Sequence, residues 1–529
     1  MRKLGNFSVR VVDYIFWGLM VLILISAIFS FAESITSGWM KYAIVAMTIL
    51  FIGAFVFFGD RIIQLLKKIF GFVCNISVAR MFLIIFMFVA VTKIFLVFLL
   101  DPDASKHPDM ATYQSFAYQL AGKGKITEYI YSAFMWKYEV IYGLFLSPVV
   151  RLFGEDTKVM LTFLSVLFAI LSVLLFDILR VHVGKNKAFV IIMLFNILPV
   201  GLFETQLLIH ETALLFFYIV SFWFLIKALD NKNHFALRIL AVLFSALLIA
   251  FGNKINQGGT VVVISYCLYV FIMLCKEKIT AKKIMKFVAV IACFLLCFVL
   301  VSHLCVSFVN NVVILSENDR QKIEQIQRNE LPFGWGLYLG TNNNHPGEWN
   351  EEDANVYYQY QDIDDEQEAK KYQKELIEER IQVFKEKPAI IPLHLLKKIK
   401  SLWGAPVLQY WYGQGNEINQ FILTGLHGMI HKALWGISEL TYILLCSIIV
   451  FAHKRHNKKV VESFYSPVIQ FKMMIVGLTF ALILFEVMAK YTSYLYIVLF
   501  VIGLFEIDRF CDNSARWSGR FIRRKNKSG

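Results

Sequence analysis

Several ionisable side chains of this chain stand at the ends of long apolar runs. The stretch HPDMATYQSFAYQL (107–120) follows one such run and places Asp109 ahead of a stripe of Tyr, Phe and Leu. The other side chains in comparable positions are Asp101, His210, Glu211, Lys254, Glu486 and Lys490. Lys93 lies inside a run, roughly 10 Å from its end at 1.5 Å per residue. Because charged groups beside a hydrocarbon layer are costly, each is a candidate functional residue.

The composition indicates a membrane protein. Hydrophobic residues make up 58% of the 529 positions and charged residues only 17%, whereas a soluble domain is roughly a quarter charged. Runs such as 79–100 and 158–181 supply the roughly 20 apolar residues that cross a bilayer as a helix. Lipid offers the backbone no hydrogen-bond partner, so these runs must be helical. The predicted fold class is therefore an all-α polytopic membrane protein with interfacial helices and a small α-rich external domain.

The distribution of the positive charge indicates a membrane protein and not a nucleic-acid-binding protein. The net charge is +14, but the basic residues collect in short loops between apolar runs, which is typical of cytoplasmic loops. We therefore expect the lipid bilayer as a partner and no nucleic acid. Both termini are basic and are predicted to be cytoplasmic in a multi-pass protein of the plasma membrane, with the active site external.

The apolar runs predict about twelve crossings. They lie near 14–31, 40–59, 79–100, 158–181, 187–204, 208–228, 235–252, 260–276, 284–308, 434–453, 468–488 and 492–508. The short run 140–154 is predicted to lie along the outer interface. The cysteines show neither metal-ligand spacing nor a disulfide framework, and small apolar packing residues are the simpler interpretation.

The chain divides into five predicted parts. Residues 1–78 form an additional N-terminal transmembrane hairpin and cytoplasmic loop, and 79–308 form a core with a first external loop at 101–157. Segment 309–412 is long and polar enough for an external domain, with helices in 351–387 and an amphipathic interfacial helix at 388–404. Helices in 413–510 complete the membrane part, and 511–529 form a basic cytoplasmic tail.

The candidate residues fall on one predicted face, which favours an enzyme over a transporter. A coupled transporter places carboxylates near the midplane, at broken helices. An enzyme for a lipid-linked substrate needs acid–base groups at headgroup depth. Structural alternatives remain open for each candidate: Asp109 could start a helix, Lys93 could snorkel, and Glu486 with Lys490 could form a helical i,i+4 pair.

Taken together, these segments resemble the GT-C superfamily of polyprenyl-phosphate-dependent glycosyltransferases. Within it they are similar to the bacterial branch related to protein O-mannosyltransferases and lipid A aminoarabinose transferases. The segments that carry the resemblance are PDMATYQSFAYQLAGKGK (108–125), YEVIYGLFLSPVVRLFGE (138–155), LLIHETALLFFYIVSFWFLIKAL (207–229), LLIAFGNKINQGG (247–259), GWGLYLGTNNNHPGEWNEED (334–353) and FEVMAKYTSYLYIVLFVIG (485–503). The resemblance spans about residues 79–510, and Lys490 stands where Arg is commoner.

The resemblance implies roles for individual residues. Asp109 would be the catalytic carboxylate, accepting the proton of an acceptor hydroxyl. The residues implied to bind the donor phosphate are Lys254, Lys490 and Lys93. Those implied to bind sugar or acceptor, or to position a divalent metal ion, are His210, Glu211, Tyr113, Asp101 and Glu486. No cofactor is certain, and the metal stays open.

The same resemblance implies the reaction and its partners. The donor would be a polyprenyl-phosphate-linked sugar, the acceptor an extracytoplasmic cell-wall polymer, glycolipid or protein, and the sugar would be transferred with inversion. Loop residues Asn343, His345 and Trp349 would contact the acceptor, as Trp335 and Tyr338 could, although a packed small core fits these aromatic residues equally well. The alternatives are a lipid-linked polysaccharide polymerase or ligase, and a non-enzymatic flippase of lipid-linked sugars.

Overall fold

The computed structural model describes residues 2–525, except for 37, 70–75, 101, 103, 107, 231–233, 257, 276–279, 315, 332–333, 349, 405–427, 454–465 and 488–489. Over these residues the chain is built of α-helices and short turns. Its β-structure there is a single bridge between Ile126 and Val313. The predicted all-α class is confirmed.

The helices follow one another with short connections. The first half of the chain contains α1 (Arg2–Ile35), α2 (Met40–Ile69), α3 (Val78–Leu100), α4 (Pro108–Gly122), α5 (Ile130–Met135), α6 (Lys137–Phe153), α7 (Thr157–Val183), α8 (Lys185–Ile197), α9 (Pro199–Phe203), α10 (His210–Leu229), α11 (Phe235–Ile255) and α12 (Gly259–Cys275). The second half contains α13 (Ala281–Val312), α14 (Glu317–Asn329), α15 (Gly334–Gly340), α16 (Glu351–Gln361), α17 (Glu366–Glu386), α18 (Ile390–Trp403), α19 (Gly428–Ala452), α20 (Pro467–Leu484), α21 (Lys490–Ser493), α22 (Tyr496–Phe505) and α23 (Ile507–Lys525).

Nine helices of the described ranges are long and apolar enough to cross a membrane. They are α1, α2, α3, α7, α10, α11, α13, α19 and α20, and α12 and α22 are shorter apolar helices. These helices make the protein a multi-pass membrane protein, as its composition predicts. Only 11% of the 18-residue apolar stretch of α13 is buried against the rest of the protein, so most of this stretch faces the surroundings of the bundle.

The predicted span 187–204 is not one helix. α8 ends at Ile197, Leu198 is extended, and Pro199 begins the short helix α9. Proline lacks an N–H group, and it disfavours the helical conformation in the residue before it, so the break falls where the sequence places Pro199. After the break, a Cβ at Gly201 would overlap the carbonyl oxygen of Phe195. Only glycine permits this return of the chain.

The predicted span 468–488 is also shorter than expected. α20 ends at Leu484, residues 485–487 are not helical, and α21 begins only at Lys490. Glu486 and Lys490 therefore do not share one helix, and the alternative of a helical i,i+4 pair is wrong. Instead, Glu486 lies on a non-helical segment between two helices.

α10 and α11 pack closely because small residues line their interface. The Ser221 hydroxyl donates to the carbonyl oxygen of Ser245 at 2.8 Å, and the Ser245 hydroxyl donates to that of Ser221 at 2.8 Å. A Cβ at Gly252 would lie 2.9 Å from the Cβ of Phe217. Small residues and hydroxyl groups of this kind hold membrane helices together where apolar burial gives little net gain. The pairing fixes the start of α10 beside the end of α11.

Helices α14 to α18 make up most of the polar segment 309–412. α16 and α17 confirm the predicted helices in 351–387, and α18 corresponds to the amphipathic helix expected at 388–404. Asp353 ties these helices together, since it accepts hydrogen bonds from Asn342 at 2.8 Å and Asn350 at 2.6 Å and pairs with Arg380. Burial disfavours the charge of Asp353, but these hydrogen bonds and Arg380 lower its pKa below the usual value.

Candidate functional site

α4 and α6 form the platform on which Asp109 lies. Pro108 occupies the first position of α4, where its missing N–H group is not needed, and Asp109 follows in the first turn. Asp109 is half-buried, and Tyr113, one turn further on, is buried. α6 can approach α4 because a Cβ at Gly143 would lie 2.6 Å from the Cβ of Phe116. The first-turn position stabilises a carboxylate, and this agrees with a structural role as well as a catalytic one.

α10 begins beside this platform with His210. The Tyr142 hydroxyl of α6 donates to the carbonyl oxygen of Ile209 at 2.9 Å, which holds the entry into α10. The imidazole of His210 packs against the rings of Tyr113 and Tyr138, with centroids 5.5 and 5.4 Å apart. Asn256, just past the end of α11, lies with its side-chain amide nitrogen 3.1 Å from Nε2 of His210. Four helices therefore meet around one imidazole.

Glu211 is the most deeply buried carboxyl group of this region, with 1% of its surface exposed. Its Oε2 lies 3.5 Å from Nδ1 of His210, but neither of its oxygens accepts a hydrogen bond from any residue of the described ranges. Buried polar atoms nearly always have a hydrogen-bond partner, and an unsatisfied one costs about 1–3 kcal/mol. A substrate hydroxyl would satisfy this carboxylate.

Glu486 and Tyr491 approach the same residues from the far end of the sequence. Burial raises the pKa of Tyr491 well above its usual value, and the nearby Glu486 carboxylate raises it further, with smaller effects from Tyr138 and Glu211. Burial raises the pKa of Tyr138 well above its usual value. Four carboxylate charges raise this pKa further; in decreasing order of effect they are those of Glu139, Asp109, Glu211 and Glu486.

Asp109 belongs to the same group. Burial raises the pKa of Tyr113 well above the usual value, and the Asp109 carboxylate is the largest of the charges that raise it further. We call the whole set the tyrosine–carboxylate cluster: Asp109, Tyr113, Tyr138, Glu139, His210, Glu211, Glu486 and Tyr491. Its tyrosines stay protonated at neutral pH and can donate hydrogen bonds, while its carboxylates can accept hydrogen bonds or protons.

Lys93 does not belong to the tyrosine–carboxylate cluster. It is fully buried in α3, and its ammonium group donates to the carbonyl oxygens of Gly201 and Leu202, the latter at 3.4 Å. It also lies 4.2 Å from the centre of the Phe168 ring. Lys93 therefore does not snorkel out of the bundle. Its ammonium holds the short helix α9.

The other two predicted phosphate ligands lie at the edges of the site. Lys254 is half-buried in the last turn of α11 and lies near enough to Cys305 of α13 for its charge to act on that thiol. Lys490 begins α21, one residue before Tyr491, and its side chain lies outside the described part of the chain. Asp101 and Trp349 lie outside it as well.

The predicted acceptor loop divides into packed and open residues. Trp335 packs against Tyr357 with ring centroids 4.4 Å apart, and the Arg380 guanidinium lies 3.5 Å from the Tyr338 ring centre. These contacts favour a packed core for Trp335 and Tyr338. Asn343 is half-buried and His345 exposed, in a turn where the Asn342 side chain accepts from the backbone N–H of residue 345 at 3.0 Å.

Sequence reasoning missed several residues, of which Glu439 lies outside the tyrosine–carboxylate cluster. Glu204 is buried between α9 and α10 and lies close enough to Lys93 and Glu211 to interact with both charges. Glu439 is fully buried in α19, and neither of its oxygens has a hydrogen-bond partner among the described residues. A carboxylate within an apolar run was a sufficient signal for both. Tyr138 and Tyr491 gave no such signal, since aromatic residues are common throughout the runs.

A metal site was left open by the sequence. Within the residues that the structure describes, no three His, Cys, Asp or Glu side chains are grouped closely enough to hold a metal ion. His210 and Glu211 are neighbours, with Nδ1 of His210 3.5 Å from Oε2 of Glu211.

Comparison with known proteins adds one match. A family model of dolichyl-phosphate-mannose-protein mannosyltransferases matches residues 140–303, from α6 to α13. The matched range contains His210, Glu211 and Lys254 and excludes Asp109. No curated protein and no solved structure matches the chain. The family match supports the GT-C superfamily, and with it a membrane glycosyltransferase that uses a lipid-linked sugar.

Proposed function

We propose that this protein transfers a sugar from a polyprenyl-phosphate donor to an acceptor hydroxyl outside the cell, with Asp109 as the catalytic base. The observation that carries the proposal is the convergence of the tyrosine–carboxylate cluster. Asp109, Glu211 and Glu486 are separated from one another by more than 100 residues along the chain. All three nevertheless lie close enough to Tyr138 for their charges to raise its pKa. Such a gathering of buried and half-buried ionisable groups is typical of a functional site.

The reaction is a direct displacement at C1 of the donor sugar. The Asp109 carboxylate takes the proton of the acceptor hydroxyl as the hydroxyl oxygen attacks C1. The bond between C1 and the phosphate oxygen breaks, and its electron pair leaves with the polyprenyl phosphate. Attack from the face opposite the phosphate inverts the configuration at C1. Glu211, His210 and the hydroxyl of Tyr113 are suited to hold the sugar and acceptor hydroxyls.

The leaving phosphate needs positive charge, and Lys254 and Lys490 are the proposed source. Lys254 lies within electrostatic range of Cys305 in α13, and the apolar surface of that helix is largely unburied. A polyprenyl chain in the bilayer could run along α13 while its phosphate rests at the end of α11. Lys93 is assigned a different task, because its ammonium already donates to two carbonyl groups.

The proposal is tested by incubating the purified protein in detergent with a short-chain polyprenyl-phosphate mannose and native envelope material. We expect release of polyprenyl phosphate together with a mass increase of the acceptor by one hexose. A polymerase or ligase would instead require an oligosaccharide donor and release polyprenyl diphosphate or phosphate from that donor alone. Donor that stays intact with every monosaccharide tried would contradict the proposal.

A further inference from the structure

Lys398 is a buried lysine whose contacts connect three separate parts of the chain. It lies in α18, 0% exposed, and it takes no part in the tyrosine–carboxylate cluster. Its ammonium donates to the carbonyl oxygen of Gly340 at 2.9 Å and to that of Phe485 at 2.8 Å. Gly340 ends α15 of the polar segment, and Phe485 directly follows α20 of the membrane part. A buried ammonium group is costly unless it is paired, so this arrangement needs both carbonyl groups.

The parts joined by Lys398 are in direct backbone contact. A Cβ at Gly340 would overlap the carbonyl oxygen of Leu484, and the Val487 N–H donates to the carbonyl oxygen of Gly347 at 2.8 Å. A Cβ at Gly347 would lie 2.8 Å from Cγ2 of Val487 and 3.0 Å from Cε of Lys398. The loop after α15 and the segment 485–487 therefore lie against each other with Lys398 at their centre.

The segment 485–487, which these contacts hold, contains Glu486 of the tyrosine–carboxylate cluster. Glu486 lies between Phe485 and Val487, the two residues whose backbone groups are held. The charge of its carboxylate raises the pKa of Tyr491 and of Tyr138, which both belong to the cluster. Residues 485–487 are not helical, and the contacts to Lys398 and Gly347 hold the backbone on either side of Glu486.

We propose that Lys398 is a positioning residue, which fastens the loop 341–347 to the segment 485–487 and thereby sets where Glu486 stands in the site. This assignment rests on the proposed function, in which Glu486 contacts the substrate. Burial lowers the pKa of Lys398 to about 8, and a lysine amine has N–H groups for both carbonyl oxygens in its charged and in its neutral form. His394, one turn earlier, also contacts the Gly340 carbonyl oxygen, at 3.1 Å.

The first test compares Lys398→Met with Lys397→Met, which removes the neighbouring exposed lysine of the same helix. Hydrogen–deuterium exchange would be followed in peptides that contain residues 485–487 and, as a folding control, in peptides of α20. We expect exchange at 485–487 to become at least tenfold faster in Lys398→Met and to stay unchanged in Lys397→Met, with α20 protected in both. Unchanged exchange at 485–487 in Lys398→Met would overturn the proposal.

A second variant opens the same contact from the other side. Gly347 has φ 78°, and Gly347→Ala would press its methyl group on Val487 and Lys398. Gly38→Ala is its control, because Gly38 has φ 70° and no atom lies within 4 Å of its added Cβ. Faster exchange at 485–487 is expected in Gly347→Ala only. The same acceleration in Gly38→Ala would show that the effect does not come from this contact.

The functional readout is the affinity for short-chain polyprenyl-phosphate mannose. We expect its Kd to rise about tenfold in Lys398→Met and Gly347→Ala and to stay unchanged in both controls. An unchanged Kd together with accelerated exchange would reduce Lys398 to a structural contact and overturn its positioning role. If the unmodified protein fails to bind the donor, the proposed function fails, whereas the exchange experiment still decides whether Lys398 fastens the segment.

Discussion

The most informative single residue of the site is Glu211. Its carboxyl group is buried at the first turn of α10, where the helix dipole favours a negative charge, yet neither oxygen accepts a hydrogen bond from the described residues. Folding alone would select a partner or an apolar side chain at this position. A buried carboxyl group whose burial costs stability indicates a role in binding or catalysis.

Glu211→Gln should separate stability from activity. We expect turnover to fall at least about tenfold, because an amide cannot supply the negative charge for a substrate hydroxyl. The melting temperature should stay equal or rise, since a buried charge is removed. Sugar transfer and thermal unfolding of the purified variant are the measurements. Loss of fold without loss of specific activity in the surviving protein would contradict this assignment.

Glu439→Gln is the matched control. Within the described part of the chain, Glu439 is likewise buried in an apolar helix and neither of its oxygens has a hydrogen-bond partner, but its charge affects Tyr442 and Tyr496 and not the cluster. The same substitution there should leave turnover within about twofold. An equal loss of turnover in both variants would mean that burial, and not membership of the cluster, determines the effect.

Single residues were predictable from the sequence where the physics is local. A carboxylate or histidine at the end of an apolar run can be identified without a fold, and Asp109, His210, Glu211 and Glu486 are brought into one cluster. The partners of Lys93 could not be predicted, because Gly201 and Leu202 lie more than 100 positions away. Whether a buried lysine meets carbonyl groups or a ligand depends on packing that the sequence does not reveal.

At the scale of elements, the breaks between helices decide the geometry of the site. The break at Leu198 lets the chain return through α9 to the start of α10, and the end of α20 at Leu484 frees Glu486 from helical geometry. Hydropathy predicted where apolar helices lie but not these ends. Pro199 was a visible signal for the first break, whereas the second depends on contacts with the polar segment.

Gly201→Ala tests the first break. The added methyl group would overlap the Phe195 carbonyl, and overpacking of this kind costs about 1–3 kcal/mol. We expect a lower unfolding midpoint in a detergent or SDS titration. Gly18→Ala is the control, since Gly18 lies in α1 with open space around it and alanine favours a helix. A midpoint for Gly201→Ala at or above that of the unmodified protein would contradict the close return of the chain.

At the scale of the whole molecule, the N-terminal helix is joined to the C-terminal helices. Lys472 of α20 lies 2.7 Å from Asp13 of α1 and 3.1 Å from Glu506 beyond α22, and all three side chains are buried. At its other end, α1 pairs through Glu33 with Lys400 of α18, the helix that also carries Lys398. The sequence suggested an added hairpin, and its contacts with the core could not be predicted because they connect the two ends of the chain.

Lys472→Met tests this connection. Removal of the lysine takes a buried counter-charge from both carboxylates, although His453 stays 3.7 Å from Asp13 and Arg509 stays 2.6 Å from Glu506. Breaking a buried ion pair from one side costs up to about 3–5 kcal/mol. The unfolding midpoint should therefore fall strongly. Lys187→Met is the control, because the Lys187–Asp508 pair is partly exposed and such pairs contribute about 0–1 kcal/mol. Equal shifts in the two variants would argue against a structural role of the Asp13–Lys472–Glu506 contacts.

In the proposed reaction, Asp109 acts as the base of sugar transfer and does not merely stabilise the first turn of α4. The decisive comparison is the turnover of Asp109→Asn against that of Asp156→Asn, whose aspartate caps α7 by accepting from the backbone N–H of Lys158 at 2.8 Å. Asparagine is a good residue at a helix start, so neither change should unfold the protein. We expect turnover to fall about 10²-fold or more in Asp109→Asn and to stay unchanged in Asp156→Asn. Full turnover of Asp109→Asn would contradict this role of Asp109.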